Sequence, residues 1–205
     1  MRGLLGKKIG MTRVFNSAGN AVPVTILEVG PCYVVQVKTI KNDGYEAVQV
    51  GYLSSNVKHT TKPLIGHFDK YNVEPSRILA EFQMVPKFEY KPGQVFNVSL
   101  FNNGDFVTVS GKSKGKGFAG TIKKYSFSTQ RKTHGQGDTH RHVGSIGAAS
   151  DPSRVFPGKK MPGRYGNKTV SVNNLEVVMV KEDKNQMIVK GSVPGSVNGV
   201  VCITR

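Results

Sequence analysis

The stretch T-H-G-Q-G-D-T-H-R-H-V-G-S-I-G, residues 133–147, places three histidines, an aspartate and four glycines in fifteen positions. His134, His140 and His142 with Asp138 are residue types that bind zinc. A zinc site, however, needs a scaffold that pre-positions its ligands, and the spacing H-x5-H-x-H lies here among glycines with no cysteine. A nucleophile–base triad has the same need for held geometry, which a segment without its own core does not meet. The chemistry left to these side chains is recognition: His134, His140, Arg141 and His142 hydrogen-bond phosphates or sugars and stack on bases. Neither a metal nor a cofactor is expected.

The flanking residues point the same way. In GKSKGKGFAG (111–120) Lys112, Lys114 and Lys116 alternate with glycines, so the backbone can approach phosphates closely while lysine supplies the charge. Gly111-Lys112-Ser113 imitates the end of a P-loop, but the first glycine of that pattern falls on Phe106, which rules it out. IKKYSFSTQRK (122–132) interleaves Tyr125 and Phe127 with Lys123, Lys124, Arg131 and Lys132. These rings can stack on splayed bases or pack back onto a core, and the spacing is compatible with both. DPSRVFPGKKMPGRYGN (151–167), with Lys168 after it, sets Arg154, Lys159, Lys160, Arg164 and Lys168 among prolines that stiffen an extended limb.

Something must hold this segment. The rest of the chain reads as short strands separated by turn residues: 21–29, 33–40, 46–53, 94–100, 105–110, 169–181, 186–190 and 199–205. The first three suggest a meander, with K-N-D-G at 41–44 as a hairpin turn and Gly30-Pro31 as a break. PSRILAEF (75–82) is the one helix candidate, with proline at its start. Many short strands with close turns favour a closed antiparallel barrel. The 58 residues from 111 to 168 contain eleven glycines and thirteen apolar residues, too little apolar surface to offset ordering entropy alone. They are expected to be a long irregular excursion ordered by a partner. The resulting division is 1–110, an N-terminal arm and the first part of the barrel with an insertion at about 54–93; 111–168, the basic loop; and 169–205, the closing strands.

Charge identifies the partner class. The chain carries a net +16, of which residues 111–168 hold +11, residues 1–27 hold +4 (Arg2, Lys7, Lys8, Arg13), and residues 28–110 are neutral. Such concentration is the footprint of a polyanion-binding surface. Cys32 and Cys202 are too few and too far apart for a disulfide scaffold or zinc ribbon, which fits a reducing cytoplasm. Lys7 and Lys8 interrupt any signal-like apolar run, and no stretch approaches the roughly 18 apolar residues of a membrane span. Two rival classes are an RNA-acting enzyme using the three histidines, which needs a preformed pocket, and a nonspecific DNA-binding protein, which would not prefer structured RNA.

GLLGKKIGMTRVF, VPVTILEVGPC, DGYEAVQVGY, KPLIGHF, GKSKGKGFAG, the H134–R141 stretch with GSIG, PGKKM and IVKGSVPG occur here in an order that resembles the bacterial form of the large-subunit ribosomal protein L-three family. The resemblance spans essentially the whole chain. It implies a six-stranded, translation-protein-type antiparallel β-barrel with a small α-containing insertion and a long irregular basic extension. It also implies binding of 23S rRNA, contact with neighbouring large-subunit ribosomal proteins, a part in early subunit assembly, and no enzymatic activity, small-molecule substrate or membrane. The loop tip, Gly144, Ser145, Ile146, Gly147 and Ala148, would approach the peptidyl-transferase centre, and Arg2, Lys7, Lys8 and Arg13 would match the family's arm. Two departures stand out. Ala148 occupies the place of a glutamine that some relatives methylate, which removes that modification. Pro157 and Pro162 replace lysine and alanine, stiffening the limb and removing one charge.

Overall fold

A computed structural model describes residues 1–85 and 88–205. Strands β1 (Gly3–Phe15) and β2 (Ala21–Val29) form a long hairpin; β3 (Cys32–Lys38) and β4 (Ala47–Ser54) form another, joined through the single-turn helix α1 (Ile40–Asp43). After α2 (Lys62–Lys70) come β5 (Ser76–Phe82), β6 (Val95–Phe96) and β7 (Phe106–Lys112). The basic segment contains β8 (Phe118–Ala119), α3 (Thr121–Tyr125) and β9 (Gly163–Arg164), and β10 (Thr169–Lys181), β11 (Gln186–Lys190) and β12 (Val200–Thr204) end the chain.

The fold is mostly β. Six strands close into an antiparallel barrel in the order β1-β12-β7-β10-β11-β2, and β5-β4-β3-β6 make a four-stranded sheet. Closure pairs every barrel strand on both sides, so the barrel itself presents no free edge. Leu4, Leu27, Val109, Met187 and Ile203 fill the barrel, and Val34, Val48, Tyr52 and Phe82 from the sheet belong to the same core. Each such side chain contributes about 1.5–3 kcal/mol by leaving water. The molecule divides into two compact units, Met1–Ser113 with Thr169–Arg205, and Lys114–Lys168.

Three expectations are corrected. Residues 75–82 form β5, not a helix: Val48↔Phe82 through Ser54↔Ser76 pair it with β4, and Ser76 and Phe82 are buried while Arg77 and Glu81 are exposed. An eight-residue helix is marginal by itself, so the available ladder wins. The helix of this region is α2 instead, which carries Pro63 in its first turn and buries Phe68 against Val35 and Val73. The meander is also split, because β3 pairs with β4 and β6, while β2 pairs with β1 and β11. Finally, the N-terminal arm is a barrel strand. GLLGKKIG reads poorly as a strand because of its glycines, yet a Cβ at Gly6 would lie 2.8 Å from the Glu28 carbonyl oxygen, so the close pairing of β1 with β2 depends on that glycine.

Candidate nucleic-acid interface

The cations singled out by the sequence fall into two settings. Arg2, just before β1, and Arg13, on it, are exposed, and Lys7 is half-buried. Lys8 is not a surface cation at all: only 8% of it is exposed, and its Nζ donates to the Val193 carbonyl at 2.7 Å. Strand alternation turns it away from solvent, and its backbone pairs across to Gly199 and Asn198. Lys8 is therefore placed among the barrel residues, unlike the other cations expected to meet RNA.

In the basic segment nearly every cation faces solvent. Lys114, Lys116, Lys123, Arg131, Lys132, Arg141, Arg154, Lys159, Lys160, Arg164 and Lys168 are exposed, Lys124 is half-buried, and Lys112, at the end of β7, is exposed too. Only Ala119 and Thr121 of residues 114–168 are buried. The segment nonetheless has local order that composition did not reveal. Its two limbs pair: Phe118↔Arg164 and Ala119↔Gly163 form the β8–β9 ladder, and Lys116 and Tyr165 extend it through Lys116 N–H to the Tyr165 carbonyl and Tyr165 N–H to the Gly117 carbonyl, both 2.9 Å. Gly166, at φ +74°, makes the approach possible, since a side chain there would run into the Lys114 carbonyl.

Aromatic rings space the charges. The Tyr125 and Phe127 rings lie tilted against each other at 40° with centroids 6.2 Å apart, and Tyr125 also carries Lys124 at 5.0 Å and Lys160 at 5.8 Å. Lys116 sits 4.8 Å over Tyr165, and Arg154 sits 5.2 Å over Phe156. Tyr165 and Phe156 escaped notice in the sequence, although each has a cation within a few positions.

The three histidines separate. His134 and His142 are exposed, whereas His140 is half-buried with Nδ1 3.0 Å from the Arg131 carbonyl, and Gln130 N–H donates to the His140 carbonyl at 3.0 Å. Among the described residues, no group of three or more His, Cys, Asp or Glu side chains is arranged to hold a metal ion. The tip is exposed from Gly144 to Ala148, and the Ser145 hydroxyl donates to the Gly147 carbonyl at 3.0 Å. What these groups offer is a row of solvated donors on a ribbon of backbone, suited to a polyanion with its own shape.

Comparison with known proteins gives a consistent result. Residues 73–187 match the family profile described as Ribosomal protein L3. The chain is 50% identical over 204 residues to the large ribosomal subunit protein uL3 of Thermotoga petrophila, covering 99% of this chain and 96% of the relative. The uL3 protein of Thermotoga maritima matches to the same extent. That of Brachyspira pilosicoli is 45% identical over 205 residues, covering 100% and 94%.

Proposed function

Because this chain belongs to the ribosomal protein L3 family, we propose that it is a structural constituent of the large ribosomal subunit that binds 23S rRNA in the cytoplasm. It acts by neutralisation and shape-fitting rather than catalysis. Lysines and arginines of 112–168 screen crowded phosphates, the glycines admit close backbone approach, and rRNA fixes the final path of the segment. Arg2, Lys7 and Arg13 add contacts from the N-terminal residues and β1. The tip, Gly144–Ala148, reaches toward the peptidyl-transferase centre, the barrel meets neighbouring ribosomal proteins, and the early docking of this chain supports subunit assembly.

The observation that carries this reading is the charge imbalance of 111–168, thirteen basic side chains against Asp138 and Asp151, on a segment with almost no buried side chains. Titrating the purified chain with structured 23S rRNA fragments at increasing salt tests it. The expected log K falls by roughly 0.7 to 0.9 for each phosphate neutralised, per tenfold salt. The same fragments are expected to outcompete duplex DNA at equal phosphate concentration. Affinity flat with salt, or no preference over duplex DNA, overturns it.

A further inference from the structure

Of the three histidines, one has its ring anchored by a hydrogen bond to the backbone. The Arg131 carbonyl can only accept, so the Nδ1 of His140 that lies 3.0 Å from it must carry the proton. The neutral ring then has Nε2 as a lone-pair acceptor. The ring lines a concavity of about 290 Å³ whose other walls are Thr129, Lys132 and Arg141. The backbone bond from Gln130 to His140 and the Gln136 amide donating to Thr139 at 3.0 Å close the turn around it.

This set is not a plain phosphate site. Lys132 and Arg141 bring only donors, suited to the anionic oxygens, and the Thr129 hydroxyl can serve either way. With Nδ1–H committed to the Arg131 carbonyl, His140 offers Nε2, and in the neutral tautomer that atom accepts from a hydroxyl and is repelled by a phosphate oxygen. On a nucleic-acid backbone the group that offers a hydroxyl donor next to a phosphate is the ribose 2′-OH. We propose that this concavity is a ribose-phosphate seat: Lys132 and Arg141 hold the phosphate, and His140 Nε2 accepts from the adjacent 2′-OH, so this turn is where the protein distinguishes RNA from DNA. The inference rests on the rRNA-binding reading above and names the chemistry one part of that surface selects.

The test uses the full chain and a transcribed 23S rRNA fragment into which 2′-deoxynucleotides are incorporated singly, scoring which positions weaken binding. Wild type is expected to lose about 3- to 10-fold at one or a few deoxy positions, the worth of a single hydrogen bond. With His140→Leu those positions are expected to stop mattering, while the salt dependence set by Lys132 and Arg141 stays. His140→Gln, whose amide can hold the Arg131 carbonyl and still present an oxygen, is expected to retain them. If His140→Leu also flattens the salt dependence, the turn itself has come loose, and His140→Gln decides: retained deoxy sensitivity supports the seat, and its loss overturns it. A deoxy pattern identical in wild type and His140→Leu overturns this inference alone. A wild-type chain that fails to bind the fragment overturns the rRNA reading, and this inference with it.

Discussion

In the barrel-and-sheet unit cations meet carboxylates: Lys38 reaches Glu81 at 2.8 Å, Lys190 reaches Glu176 at 3.1 Å and Arg205 reaches Asp105 at 3.1 Å. In the unit from Lys114 to Lys168 they lie over rings, as Lys116 does on Tyr165 and Lys160 on Tyr125. An exposed cation–π contact is worth only about 0.5–1 kcal/mol, so it orients a side chain without neutralising it. The first unit pairs several of its charges internally and buries Leu4, Leu27, Val109 and Ile203 completely. The second carries a large positive excess and buries almost nothing, so under the proposed role its final shape is completed by the rRNA. On that reading one chain separates the task of folding from the task of binding.

The comparison breaks most readily by excision. Replacing residues 114–168 with a short glycine linker is expected to leave a cooperatively melting barrel, read by circular dichroism, while affinity for a 23S fragment drops on the order of 10⁴-fold at moderate salt. A barrel that no longer folds would show that the two units depend on each other. Next in size, Leu27→Ala is expected to cost about 2–5 kcal/mol in urea denaturation, because its fully buried side chain leaves a cavity in the barrel. The matching change at the tip, Ile146→Ala, should stay within about 0.5 kcal/mol, since Ile146 is exposed.

The same contrast explains what was legible in the sequence. β2, β7, β10, β11 and β12 announced themselves through β-branched runs, because barrel strands must present apolar side chains to one interior. β1 did not: its glycines at 3, 6 and 10 lower strand propensity, and the value of Gly3 and Gly6 lies in close approaches that exist only once partners are in place. β5 was mistaken for a helix because local propensity does not register the β4 ladder beside it. In the basic segment, charge and glycine content exposed the binding surface but not its internal order. The β8–β9 ladder is two residues long on each side, and the bond from the His140 ring to the Arg131 carbonyl depends on a backbone path that residue types do not encode.

Lysines sharpen the comparison at a smaller scale. Lys8 and Lys116 are chemically identical, yet one donates to the Val193 carbonyl inside the barrel and the other lies exposed over Tyr165. Lys8→Met is expected to destabilise the fold by about 1.5–3 kcal/mol, the worth of a hydrogen bond from a charged donor, and to leave the salt dependence of RNA binding in place. Lys116→Met should do the reverse, reducing the slope of log K against log salt by about 0.7 to 0.9 with an unchanged urea midpoint. Equal effects from both substitutions would erase the division between structural and binding cations.

The smallest expected effect concerns pH. The Glu81 carboxyl is held below its ordinary range, chiefly by the hydrogen bond from Lys38, with Tyr45 and Gln49 also donating to it. His67 Nε2 donates to Gln49 Oε1 at 2.7 Å, so the network ties α2 to the sheet. A carboxyl whose pKa is lower in the folded chain binds protons more readily when unfolded. Its stabilisation is therefore complete above the unfolded value, about 4.3, and is lost as pH falls through the folded one. The urea midpoint of wild type should decline as the solution is acidified below about pH 5, and Glu81→Gln should lower the neutral plateau slightly while flattening that decline. The pair lies near the surface, so the difference is small and shrinks with added salt. Repeating the titration on the excised chain tests where the effect belongs: the Glu81 component should survive intact, because every group in the network lies outside 114–168. An acid limb that instead disappears with the loop would place the pH-sensitive charges in the segment that otherwise contributes so little to folding.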